Sequence, residues 1–163
     1  LNMSLANATD VLNLTHDYKY YDEFDFAFLG TGIKIDKKIT IQGNNHTIDA
    51  KNKLRIFYVS ADDVTLNNLT LINGHAANGG SIYWYGKNGL LTNSNLNAHS
   101  VTTRGGAVYW YGEHGSINLC NFTNNQADGL SWTGGAVYWI GHYGLINNSN
   151  FKHIITFLHY IYS

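Results

Sequence analysis

The residues of this 163-residue chain that could do chemistry are a few carboxylates, several histidines, one thiol and a large set of tyrosines. Cleaving a polysaccharide takes paired carboxylates roughly 5–10 Å apart, or carboxylates that hold a metal ion beside a Lys or Arg base. From residue 79 onward the only acids are Glu113 and Asp128. Asp62 and Asp63 adjoin each other in a turn-like stretch, and Arg104 is the one isolated base that would suit a lyase. His99, His114, His142 and His153 fall at unrelated positions, so no metal-ligand spacing emerges. The calcium-binding repeat GGxGxDxUx is missing as well. A phosphate-cradling loop would need Lys-Ser/Thr and a helix after its glycines, and neither is present. Cys120 is the single cysteine, which excludes an intrachain disulfide and a zinc cluster. The chemistry-bearing residues therefore predict no catalytic residue, no metal and no cofactor.

The tyrosines differ because they recur. GGSIYWYGKNG (79–89), GGAVYWYGEHG (105–115) and GGAVYWIGHYG (134–144) are three near-copies of one phrase, at spacings of 26 and 29 residues. In a strand alternate side chains share a face, so Ile82 and Trp84 point one way while Tyr83 and Tyr85 point the other. If the aliphatic face is interior, Tyr83, Tyr85, Tyr109, Tyr111 and Tyr138 make an outward ladder of flat rings about 5 Å apart. Such rings suit stacking on sugars or meeting a protein partner; the competing reading is cross-strand stacking that only steadies the sheet. Structural roles fall to the rest of the phrase. Trp84, Trp110 and Trp139 fill the stack, and Gly79–Gly80, Gly105–Gly106 and Gly134–Gly135 turn a corner without room for side chains. The glycines of GKNG, GEHG and GHYG supply positive φ between the two strand halves.

What positions these residues is the repeat itself. Each copy is followed by a second repeating half, LLTNSNL, SINLCNF and LINNSNF. A unit of two short strands cannot bury its apolar face alone and must stack on its neighbours. Phe57, Ile82, Val108 and Val137 form one column, followed two residues on by Val59, Trp84, Trp110 and Trp139. Leu66, Leu91, Ile117 and Ile146 form another; Leu69, Ser94, Cys120 and Ser149 a third; Leu71, Leu96, Phe122 and Phe151 a fourth. From Ile33 the first column steps by 24, 25, 26 and 29 residues, so loop length drifts while strand content stays fixed. The expected fold is all-β: a right-handed parallel β-helix of about five coils, roughly 25 Å tall. Residues 1–30 do not repeat and are expected to form an N-terminal cap, 31–153 the repeats, and 154–163 an irregular tail. The apolar tail reads either as a makeshift cap folded over the last coil or, the favoured reading, as the sign of a truncated array, whose uncovered last coil invites end-to-end self-association.

Composition agrees. Proline is absent, and Asn, Gly and Tyr abound, as short strands with tight turns require. A net charge of −1 without a basic run excludes the electrostatic footprint of a nucleic-acid binder. No charged n-region and apolar h-region mark a signal peptide, and no apolar run reaches the ~20 residues of a membrane span. Asn95, Asn121 and Asn150 form a column expected to be an interior or turn-lining ladder. Seven Asn-x-Ser/Thr sequons occur, at Asn2, Asn7, Asn13, Asn45, Asn68, Asn121 and Asn147.

The tetrapeptides GGAV (105–108 and 134–137) and FTNN (122–125) resemble the paired GGA[ILV] and FxxN motifs of polymorphic outer-membrane protein repeats. The longer phrase, with the lead-in GIKIDKKITIQGNNHTID, is similar to repeats of adhesin-like surface proteins of methanogenic archaea. Only the second copy carries both motifs intact; copy one reads GGSI with LNAH, and copy three ends in FKHI. Over about 31–154 the resemblance implies an extracellular, surface-tethered β-helix that adheres to glycans or surface proteins of a host or neighbouring cell. Because β-helices also host polysaccharide lyases and glycosidases, a carbohydrate-active enzyme is the alternative function, with a passive spacer the third.

Overall fold

In a computed structural model the chain is a parallel β-solenoid of about five coils, described over residues 1–20, 31–129 and 133–156. Each full coil is four short strands, one in each of four parallel sheets, of which three run along the stack and the fourth begins at His75–Asn78. Sheet A collects Val11–Asn13, Thr40–Gln42, Thr65–Asn67, Leu90–Thr92, Ser116–Asn118 and Leu145–Asn147. Sheet B collects Tyr18–Lys19, Thr47–Asp49, Thr70–Ile72, Asn95–Asn97, Asn121–Thr123 and Asn150–Lys152. Sheet C holds Ile33–Ile35, Phe57–Val59, Ile82–Trp84, Val108–Trp110 and Val137–Trp139, and sheet D His75–Asn78, Ser100–Arg104, Gln126–Ala127 and Ile155–Thr156. Within a repeat the chain therefore passes through C, A, B and D in turn.

Register follows the apolar columns. Ile82 pairs with Phe57 and Val108, and Val108 with Val137. Leu91 pairs with Leu66 and Ile117, and Leu96 with Leu71 and Phe122. Strands of three residues alternate inward and outward, so the middle residue of sheets A and B and the two outer residues of sheet C fill the core. Apolar residues then stack on apolar ones, and the rings of Trp84, Trp110 and Trp139, like those of Phe122 and Phe151, lie face to face in successive coils.

The corners rest on single residues in the left-handed conformation. Between sheets A and B they are Asn68, Asn93, Leu119 and Asn148; between B and D, Asn73, Ala98, Asn124 and His153; only around Thr47–Asp49 do they come in pairs, Asn44–Asn45 before it and Lys51–Asn52 after it. Asn tolerates this conformation because its short polar side chain bonds locally, whereas a Cβ-branched or bulky residue does so at a cost. Asn is thus the residue most often found at these corners, although Leu119, Ala98 and His153 take the same place. The pair Gly105–Gly106 shows the other device: Gly105 takes φ 65°, and a Cβ on Gly106 would strike the carbonyl of Gly135 in the next coil.

At one end a short helix, Asn2–Asn7, lays Leu5 into the core beside Ile33–Ile35. The chain already contributes to sheets A and B at Val11–Asn13 and Tyr18–Lys19. At the other end Leu145, Ile146, Phe151 and Ile155 are exposed, and Ile155–Thr156 still pairs with Gln126–Ala127. Residues 21–30 of the expected cap and 157–163 of the expected tail lie outside the described residues. Among the described residues no helix is long and apolar enough to cross a membrane.

Candidate functional site

The aromatic phrase folds into two stacked tyrosine columns with different surroundings. The first lies on the outer side of sheet C, between the two inward columns. Tyr58, Tyr83, Tyr109 and Tyr138 stack with centroids 5.4, 4.8 and 5.4 Å apart. Arg55 lies over Tyr83 at 5.1 Å and Arg104 over Tyr138 at 5.2 Å, so both rings carry a cation on their π faces. Arg55 is pinned by donating to the carbonyls of Thr31, Asn78 and Gly79. Tyr109, between its neighbours, is only 8% exposed; Tyr83 and Tyr138 are half-buried. Burial, with Tyr109 and Tyr58 alongside, raises the Tyr83 phenol above its ordinary range. Of this column Tyr109 has no face free for a partner.

The second column is open. Tyr85 and Tyr111 stack at 5.0 Å with planes 4° apart, and they are 52% and 45% exposed. Ile140, in the same place of the third copy, is exposed too. Their backbones are fixed to the preceding coil: the N–H of Tyr85 donates to Val59, that of Tyr111 to Trp84, and that of Ile140 to Trp110. The result is a flat stripe of two rings and an aliphatic side chain at the corner between sheets C and A.

A charged rim follows on the same corner loops. Lys87 Nζ donates to Glu113 at 3.0 Å, and Asp62 accepts the Lys87 backbone N–H. Asp63 accepts from Asn88 and pairs with Lys38. Lys87 holds the Glu113 carboxyl below its usual value, and the Lys87 ammonium rises in return. Beyond them His114 stacks on the exposed Tyr143 at 4.8 Å.

Behind the stripe the tryptophans are packed. Trp84 and Trp110 are fully buried and stack at 4.2 Å, and Trp139 continues the column at 4.6 Å. Among the described residues none of the three indole N–H groups finds an acceptor. Gly89, Gly115 and Gly144 lie against these rings, where a Cβ would collide with the indole. Their backbones are not left-handed; the positive φ of these loops belongs to Asn88, His114 and Tyr143. Close approach of the indole, rather than turn geometry, is what requires glycine there.

The groups considered for chemistry are dispersed or engaged. Among the described residues no three His, Cys, Asp or Glu side chains converge on a point that could hold a metal ion. Arg104 is occupied by Tyr138. Burial pushes the Cys120 thiol up to about 11, and it donates to the carbonyl of Asn118. His99 is buried and neutral, its pKa drawn down to about 3 by desolvation. Its Nδ1 accepts from Gly74 N–H and its Nε2 donates to Leu71 O. One coil on, Asn125 of FTNN does the same work, accepting from His99 N–H and donating to Leu96 O. The LNAH that departs from FxxN thus supplies an equivalent clamp. The column Asn95, Asn121 and Asn150, expected to be interior or turn-lining, lies outside the core: each residue opens a sheet-B strand just past the A/B turn, and Asn121 donates to Asn95.

A family model for pectate lyase-like adhesive domains matches residues 5–110. No curated protein and no solved structure is similar enough to the chain to count as a match.

Proposed function

Because this chain belongs to the pectate lyase-like adhesive domain family, we propose that it is a non-catalytic adhesive module of the cell surface. Its contact surface is the stripe Tyr85–Tyr111–Ile140, and its partner is a glycan or surface protein of a host or neighbouring cell. One observation carries the reading: two half-exposed rings lie parallel at 5.0 Å on backbones tied to the coil beneath. Such a platform offers an apolar π face to the C–H side of a sugar ring or to an apolar side chain. The neighbouring Lys87–Glu113 pair supplies polar groups for hydroxyls or amides. With backbones tied to the coil beneath and rings stacked on each other, less ordering is left to oppose binding than for free side chains. Repetition along the axis lets weak contacts add by multivalency.

Tyr83, Tyr109 and Tyr138 support the platform from the adjoining column in this reading, with Tyr109 excluded from direct contact by its burial. The test is to screen the isolated chain against a glycan array and immobilised surface proteins, beside lyase and hydrolase assays on the same polysaccharides. Binding without turnover is expected. Turnover would establish the enzyme instead, and the absence of any ligand would leave a spacer.

A further inference from the structure

Five of the sequons fall at or beside one edge of the solenoid, where each coil passes from sheet A to sheet B. Asn13 and Asn147 end strands of sheet A, and Asn45 and Asn68 lie in the turns that follow such strands. Asn13, Asn45 and Asn147 are exposed, and among the described residues their side-chain amides have no hydrogen-bond partner, unlike those of Asn44, Asn67, Asn93 and Asn148. Asn68 shares the edge but is half-buried. Asn121, two residues past it, is tied by its amide nitrogen to Asn95 Oδ1 at 2.9 Å. Asn2 and Asn7 sit in the N-terminal helix, off this edge.

An amide acceptor needs a nitrogen free to reach its donor and open space for the bulky product. Along this edge many amides bridge to the next coil, as Asn93 does to Asn67 and Asn148 to Asn118, whereas those of Asn13, Asn45 and Asn147 are exposed and take no part in these bridges. The stripe of Tyr85 and Tyr111 occupies a different corner, between sheets C and A, so substituents here leave it clear.

We propose that the A/B edge is a glycosylation edge, with N-linked glycans on Asn13, Asn45 and Asn147. The donor is an oligosaccharide joined through its anomeric carbon to a polyprenyl phosphate. Asn Nδ2 forms the new bond to that carbon, the bond from the carbon to the phosphate oxygen breaks, and the lipid phosphate leaves with the electron pair. One amide proton passes to the departing phosphate, and nothing is oxidised or reduced. Asn68 and Asn121 stay bare in the folded protein, because a glycan on Asn121 would take the place of its bond to Asn95. The inference rests on the surface location proposed above, since the donor works on exported chains.

Peptide-level mass spectrometry of the chain recovered from the cells that make it tests this directly. Glycan mass is expected on the peptides carrying Asn13, Asn45 and Asn147, lost at the first two sites in Thr15→Ala and Thr47→Ala variants. Equal occupancy of Asn121 would overturn the assignment. Protease shaving of intact cells reads the location separately. A chain that is shaved off yet bare at all three sites overturns the glycosylation alone. One that resists shaving and is bare overturns it together with the surface location.

Discussion

Gly115 lies flat against the indole of Trp110, so close that a methyl group on its Cα would enter the ring. The same relation holds between Gly89 and Trp84 and between Gly144 and Trp139. Gly115→Ala should therefore push the Trp110 ring out of register with its neighbours and destabilise the fold by about 1–3 kcal/mol. Truncating the ring itself, Trp110→Ala, should cost about 3–5 kcal/mol. The two share one space, so the double variant should fall well short of their sum in denaturant melts. Additive losses would mean that glycine serves the turn alone.

Asn125 clamps two coils from inside. Replacing it with Leu leaves the His99 N–H buried without this acceptor and takes a donor from the Leu96 carbonyl, a loss of about 1–3 kcal/mol. Asn125→His should be far milder, because His99 already performs this role one coil earlier. Urea midpoints of the two variants would separate these outcomes, and equal losses would refute the equivalence.

His99 also gives the fold a pH dependence. Its pKa falls from 6.5 to about 3 on folding because burial disfavours the charged ring. The unfolded chain accordingly takes up a proton that the folded chain refuses. Stability contributed by the neutral ring is intact above pH 6.5 and falls as pH drops towards about 3. Between pH 6.5 and 5 the loss should be about 2 kcal/mol, at 1.36 kcal/mol per unit. Melts at pH 7 and 5 on the parent chain and on His99→Asn would read it; the variant should lose most of this slope.

Leu119 turns the A/B corner at φ 53° with its side chain half in water. Asn occupies that position in the coils on either side, at Asn93 and Asn148. Leu119→Asn should stabilise by about 1 kcal/mol, since the left-handed conformation costs an ordinary residue roughly 1–2 kcal/mol. A lower melting temperature would contradict this account of the corners.

The columns were legible because each coil repeats the same inward residues, and alternation in three-residue strands leaves only one register that buries them. That is why Phe57, Ile82, Val108 and Val137, or the three tryptophans, pair as their spacing implies. Corners were less legible. One left-handed residue suffices at each, and Asn93, Ala98, Leu119 and His153 all serve, so no residue type marks the place. The role of Gly115 needs the position of an indole five residues earlier. His99 looked like a departure because hydrogen-bonding equivalence to Asn depends on ring geometry. Tyr109 and Tyr111 are two residues apart with the same parity, yet one lies under stacked rings and the other in solvent.

The central claim is that the open column meets the partner. Tyr85→Ser with Tyr111→Ser removes both exposed rings while sparing the Trp column and the core. Adhesion of the fold-intact double variant to the ligand found for the parent chain, compared with the same change at Tyr83 and Tyr138, is the most direct measurement. The account predicts loss of binding in the first variant, with its circular dichroism and melt near those of the parent, and retention of most binding in the second. Undiminished adhesion by the Tyr85/Tyr111 variant would contradict it.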